Sequence, residues 1–186
     1  LDAWAPIRNT ELLLKNTPIN LGDSVFDGYN NYWPANSIFG AVVSQVTSLP
    51  PMQTMAIYLP LVGATTILIF YALVKRVFNA KTSFMASIIF ATAFTHAYFT
   101  AGVTKETYAN PLYLSLILIF LHPAIVKQKQ VLLFSVTSAA LALTHHFAIL
   151  ITIAILSGIA LARLVSNTQK GLSSNKSDFL LTSILI

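Results

Sequence analysis

The sequence predicts an all-α fold, a polytopic transmembrane helical bundle with an ordered extracytoplasmic loop and an interfacial amphipathic helix. Three observations support it. Apolar runs of membrane-spanning length recur along the chain. Only 9% of the 186 residues are charged and 55% are hydrophobic, against about a quarter charged in a soluble domain, and mean hydropathy is +0.71. The bases stand in small groups between alternate apolar runs, as the positive-inside rule requires.

The first fifty residues form the extracytoplasmic part. They mix aromatics (Trp4, Phe26, Tyr29, Tyr32, Trp33) with turn formers (Asn20, Gly22, Asp23, Gly28), a composition unlike a disordered tail. Near the end of this segment, Ile38, Phe39, Val42, Val43, Val46 and Leu49 share one helical face, with Ser37, Ser44, Gln45 and Ser48 elsewhere. This predicts a helix over about 37–49, apolar face down in the outer interface, with Tyr32 and Trp33 in the aromatic belt.

Residues 51–186 supply the spans. About 20 apolar residues at 1.5 Å each cross roughly 30 Å of hydrocarbon. The first span is 55–74, closed by Lys75, Arg76 and Lys81; the second is 83–101, ending at Gly102. After the polar loop 103–108, Asn110 and Pro111 read as N-cap and N1 of a third helix, 111–126, which kinks or stops at Pro123. The run 131–165 would be about 52 Å long as one helix. It is divided at Thr144-His145-His146 into 131–144 and 147–165, and another helix starts at 179. Ser135, Ser138, Ala139 and Ala142 form a small-residue face suited to close helix packing.

Charge supports the division. Loops after the first, third and fifth spans hold eight of the eleven bases, Lys75, Arg76, Lys81, Lys127, Lys129, Arg163, Lys170 and Lys176, which makes them cytoplasmic. The other side receives residues 1–50, the Lys105-Glu106 loop and the His145-His146 turn, with five of the six carboxylates. The net charge of +5 is spread over these loops and forms no single basic patch, so nucleic acid is excluded as a partner; the partner is the lipid bilayer. With no cysteine there is neither a disulfide framework nor a thiolate metal site. The chain begins at Leu1 and stops within the apolar run 179–186, and so reads as a segment of a longer protein lacking its first transmembrane helix and its C-terminal part. No signal peptide stands in the first fifty residues. Asn175-Lys176-Ser177 matches a glycosylation acceptor, silent on the cytoplasmic side.

Candidate chemistry lies in the outer loops. Asp2 is either a helix N-cap for the stretch reaching Asn16 or a general base or metal ligand beside the membrane. Asp23 and Asp27 read as turn formers. Glu106, with Lys105, is either a helix-dipole partner or half of a two-part acidic site facing Asp2. His145 and His146 lie where ionisable residues in a membrane protein mark function. On a helix they would point about 100° apart, so the pair is ill suited to hold one metal; one would donate to a phosphate while the other packs, or both would simply end a helix. His96 and His122 read as structural hydrogen-bonding groups.

Together these features resemble the GT-C glycosyltransferases, polytopic enzymes that take sugar from a polyprenyl-phosphate lipid, as protein O-mannosyltransferases and oligosaccharyltransferases do. The resemblance runs through an acid at the start of an outer loop, then Asn31-Tyr32-Trp33-Pro34, an interfacial helix and Thr47-Ser48-Leu49-Pro50. It continues in the basic turn Val74-Lys75-Arg76-Val77-Phe78 and the Lys105-Glu106 loop. Leu143-Thr144-His145-His146-Phe147 is similar to the Thr-His-His segment of archaeal membrane proteins in this group. The resemblance implies transfer of sugar from a polyprenyl-phosphate donor to a glycan or protein acceptor on the extracytoplasmic face, in the full-length protein. It gives Asp2 and Glu106 catalytic roles and makes Lys105, His145 and His146 substrate-binding groups at the leaving phosphate. Metal-dependent members carry a paired acid motif in the second outer loop; here Glu106 stands alone, so a divalent metal finds no support in that loop. A secondary transporter or a non-catalytic assembly subunit is the alternative reading, although a transporter would place charges or helix breaks near the midplane.

Overall fold

The computed structural model describes residues 4–16, 32–122 and 126–169. Asp2, Asp23, Asp27, the expected stop at Pro123, the 175–177 triplet and the expected helix from 179 lie outside the described residues. Those residues form helices and no strand: α1 (Trp4–Lys15), α2 (Ala35–Thr47), α3 (Pro51–Val74), α4 (Ala80–Thr92), α5 (Phe94–Ala101), α6 (Lys105–Phe120), α7 (Lys127–Thr144) and α8 (His146–Gln169).

The polarity of the packing is that of a protein dissolved in lipid. Fully or nearly buried positions include Asn9, Thr10, Asn36, Ser44, Thr54, Thr66, Ser83, Thr107, Ser138, Thr144 and Thr152, while Leu68, Phe84, Ile89, Leu132, Val136 and Leu150 are exposed. In water that arrangement would leave apolar surface uncovered. In a bilayer, large side chains dissolve in the acyl chains, and small or hydroxylated residues let helices approach and bond their own backbones. Thr10, Ser83, Ser87, Thr137 and Thr152 each return a hydroxyl proton to a carbonyl one turn earlier, in α4 from the Asn79 cap onward. Among the described residues, two helices, Pro51–Val74 and His146–Val165, are long and apolar enough to cross a membrane.

Helix α6 is the axis of the bundle. Ala109, Leu114, Leu116, Ile117 and Phe120 pack with Phe134 and Leu141 of α7 and Leu156 of α8, flanked by Ile69, Phe70 and Leu73 of α3. At one end of this core Arg163 lies over the Phe120 ring at 5.3 Å, and Gln130 Nε2 donates to the Ile119 carbonyl at 2.7 Å. The opposite end is formed by Thr104 to Glu106 and by the junction of α7 with α8. A second cluster, Ile7, Met55, Leu59 and Val103, ties α1 to α3 at that same end.

Four features differ from the sequence expectations. The helix expected over 83–101 is two, broken at Ala93, whose φ −61° and ψ 126° are extended. Phe90 and His96 would sit about 9 Å apart along an unbroken axis; the break stacks their rings at 4.3 Å, and the Thr92 hydroxyl bonds the Ile88 and Ile89 carbonyls beside it. The third helix starts at Lys105, not at Pro111, because Thr104 caps it, its hydroxyl accepting the Thr107 N–H at 3.3 Å. Pro111 then stands inside the helix. In α2 Ile38, Val42 and Val46 point outward, as an apolar face lying in the interface would, but the small and polar face, Asn36, Ser37, Gly40 and Ser44, is buried against the protein, which the sequence did not indicate. On α7 the buried line is Phe134, Ser138, Leu141 and Thr144, so of the expected small-residue face only Ser138 is fully buried, and Ala139 and Ala142 are exposed.

Candidate functional site

Three chain segments meet at the Thr104 end of the bundle. The first turn of α6 brings Lys105 and Glu106. An acid there is favoured because the unpaired N–H groups of a helix start carry partial positive charge. The α7–α8 junction brings His145 and His146, and the segment before α2 brings Trp33. His145 Nε2 lies 3.2 Å from Glu106 Oε1, with the imidazole only 13% exposed and the carboxylate 40% exposed. The two imidazoles lie parallel, centroids 5.5 Å apart and planes 4° from coplanar in tilt. Trp33 packs its ring against His146 at 4.6 Å, and Lys105 Nζ lies 5.9 Å from the centroid of the same indole. Tyr32 abuts Trp33 at 5.7 Å.

The electrostatics follow from these contacts. Glu106 is held down at about 2, first by the hydrogen bond with His145; burial opposes this, and its own backbone N–H, the charge of His145 and the Thr104 hydroxyl add to it. Burial lowers the Lys105 ammonium from its ordinary value, and the neighbouring Glu106 charge resists that. The site therefore sets a firmly ionised carboxylate next to a half-buried ammonium and two imidazoles. Such a cluster can hold an anionic group against Lys105 and the ring N–H groups while the carboxylate accepts a hydroxyl proton or hydrogen bond.

Of the residues singled out in the sequence, Lys105, Glu106, His145 and His146 lie together, and Asp2 is outside the described residues. His96 instead stacks on Phe90. Among the described residues no three His, Asp or Glu side chains gather to hold a metal ion. Over residues 38–186 the chain matches the model of the dolichyl-phosphate-mannose-protein mannosyltransferase family. The chain belongs to this family. No curated protein and no solved structure gives a significant match. Membership makes it a membrane glycosyltransferase of the mannosyltransferase type, and the all-helical, lipid-adapted bundle agrees.

Two contributors were not singled out in the sequence. Trp33 reads there as a belt aromatic and a member of the Asn31-Tyr32-Trp33-Pro34 segment, with nothing to announce that it bridges His146 and Lys105. Thr104 looks like one more loop residue; its signal is the Thr104-to-Thr107 spacing, a capping arrangement that starts the helix early.

Proposed function

We propose that this protein transfers a sugar from a polyprenyl-phosphate-linked donor to a glycan or protein acceptor on the extracytoplasmic face of the membrane. The observation that carries the reading is the convergence of Trp33, Lys105, Glu106, His145 and His146 at one end of the bundle, with Arg163 over Phe120 at the other. An acid-bearing end opposite a basic end is the orientation the positive-inside rule assigns to an outward-facing site. The exposed apolar face of α2 (Ile38, Val42, Val46) next to this end suits a prenyl chain arriving laterally from the bilayer.

In the reaction, the acceptor hydroxyl oxygen attacks the anomeric carbon, the bond from that carbon to the phosphate oxygen breaks, and the hydroxyl proton passes to a carboxylate. By the family resemblance Asp2 takes that proton and Glu106 acts with it as the second acid. The departing polyprenyl phosphate carries negative charge, met by groups drawn from Lys105, His145 and His146.

The test is transfer by the membrane-reconstituted protein, using dolichyl-phosphate mannose and a Ser/Thr-rich peptide. Asp2→Asn and Glu106→Gln are each expected to lower turnover by about a hundredfold or more. Intact transfer by Asp2→Asn removes the base assignment, and a wild-type protein that transfers no sugar removes the whole reading.

A further inference from the structure

Two adjacent histidines at a helix junction suggest one shared role, but their contacts differ. His145 is the single residue between α7 and α8. Its N–H closes the last turn of α7 on the Leu141 carbonyl at 3.0 Å, and its own carbonyl receives the Ile149 N–H of α8 at 3.3 Å. Its backbone is extended, φ −157° and ψ 110°, the conformation of a helix N-cap. Where Ser or Asp would offer an oxygen to the amide three residues on, His145 offers its ring: Nδ1 accepts the Ala148 N–H at 3.2 Å.

That bond decides the tautomer. A ring nitrogen that accepts an amide proton carries a lone pair and no hydrogen, so the imidazole hydrogen sits on Nε2. Nε2 in turn lies 3.2 Å from Glu106 Oε1, an acceptor-only group when ionised. Both nitrogens are engaged within the protein, and moving the hydrogen to Nδ1 would set it against the Ala148 N–H and leave Nε2 facing a carboxylate with nothing to donate.

We infer that His145 is a positioning residue, locked in its Nε2–H tautomer by the first turn of α8, and that it orients the Glu106 carboxylate, leaving the donor phosphate to Lys105 and His146. Those two share the Trp33 ring and therefore one side of the cluster, whereas the ring nitrogens of His145 point into the helix start and onto the acid. The division of labour at the phosphate rests on the glycosyl-transfer reading; the tautomer lock does not.

Asparagine separates the two tasks. It is a strong N-cap but too short to replace an imidazole reaching to Glu106, so His145→Asn keeps α8 capped and removes the carboxylate contact. In transfer assays this variant is expected to lose about tenfold in kcat with donor KM within about twofold, and to cause no further loss when added to Glu106→Gln. A donor KM raised about tenfold, or losses that multiply in the double variant, would put His145 on the phosphate and overturn the assignment. Nitrogen NMR of the histidine-labelled protein in nanodiscs, with His145 identified as the signal lost in His145→Asn, is expected to show a protonated Nε2 and a bare Nδ1. A protonated Nδ1 or a tautomer average overturns the lock. Absence of any sugar transfer counts against the functional reading alone, because the spectrum decides the tautomer without it.

Discussion

Gly63 lies where α3 crosses α6, and adding a single methyl there tests how closely the two helices approach. A Cβ built on Gly63 would stand 2.7 Å from Thr107 Cγ2 and 3.2 Å from Thr100 Cγ2, against the roughly 3.5–4.0 Å of comfortable carbon contact. Something must move by about 1 Å, and Thr107 is poorly placed to do so. It is β-branched and fully buried, its hydroxyl donates to the Phe99 carbonyl, and it lies 2.8 Å from the Gly102 carbonyl and 3.0 Å from the Thr104 hydroxyl. Overpacking of this kind costs about 1–3 kcal/mol, offset by about 1 kcal/mol from the better helix propensity of alanine.

The net expectation for Gly63→Ala is a loss of up to about 2 kcal/mol, or a Tm lower by up to roughly 8 °C for a chain of this size. Gly158 in α8, which has nothing within 4 Å of the same added atom, is the control: Gly158→Ala gains about 1 kcal/mol. Thr107→Ser removes the obstructing methyl and keeps the hydroxyl, so Gly63→Ala with Thr107→Ser should recover most of the loss. Thermal unfolding in detergent, followed by tryptophan fluorescence, reads all of these. If Gly63→Ala raises Tm as Gly158→Ala does, the close α3–α6 crossing is wrong.

Three further outcomes follow from the same geometry. Because Glu106 is held at about 2 against an ordinary 4.5, its ionised form is the one the fold stabilises; that contribution is complete above about 4.5 and disappears as pH falls toward about 2. The Tm difference between wild type and Glu106→Gln should therefore be flat above pH about 5 and narrow below it, and a difference that stays constant on acidification to about pH 3 would show that the fold does not favour the ionised carboxylate. The chain has no cysteine, so a single one introduced in α2 is a unique probe: a spin label at Val42→Cys should be relaxed by oxygen dissolved in the bilayer and one at Ser44→Cys should not, and the reverse would invert the helix. Trp33→Leu removes the indole shared by His146 and Lys105 and is expected to raise donor KM by about three- to tenfold, measured in the transfer assay with kcat as the comparison; an unchanged KM would take Trp33 out of the site.

The all-helical membrane class was legible because it depends on composition summed over long runs, where single residues hardly matter. What was not legible depends on a few atoms. Nothing in Ala93-Phe94 breaks a helix by propensity; the break is visible only once His96 is seen stacked on Phe90. Pro111 looks like a helix start because prolines favour first turns, and Thr104 overrides it with one hydroxyl, which turns Lys105 and Glu106 from loop residues into helical ones. The apolar face of α2 was legible from its spacing, but not that its small hydroxylated face packs on the protein, which takes a neighbour to see. Lys105, Glu106, His145 and His146 were visible as ionisable residues at ends of apolar runs. Their pairing across 39 positions of sequence, and the place of Trp33 between them, needed three dimensions.

A bilayer also explains why the cluster sits where helices end. Within hydrocarbon every backbone N–H and C=O must find a partner, and a helix leaves its first four amides and last four carbonyls without one. Thr104 and His145 supply those partners with side chains, the hydroxyl at the start of α6 and the imidazole at the start of α8. Serine or aspartate would cap α8 equally well, but neither has, beyond its capping oxygen, a donor on the far side of a ring to reach another helix. Histidine does, and the Nε2–H left over from capping is the group that meets Glu106. The same residue thus closes a helix end and orients a carboxylate, so its replacement by serine should leave α8 capped while releasing Glu106 toward its ordinary pKa, separating by one substitution what the fold requires from what the site requires.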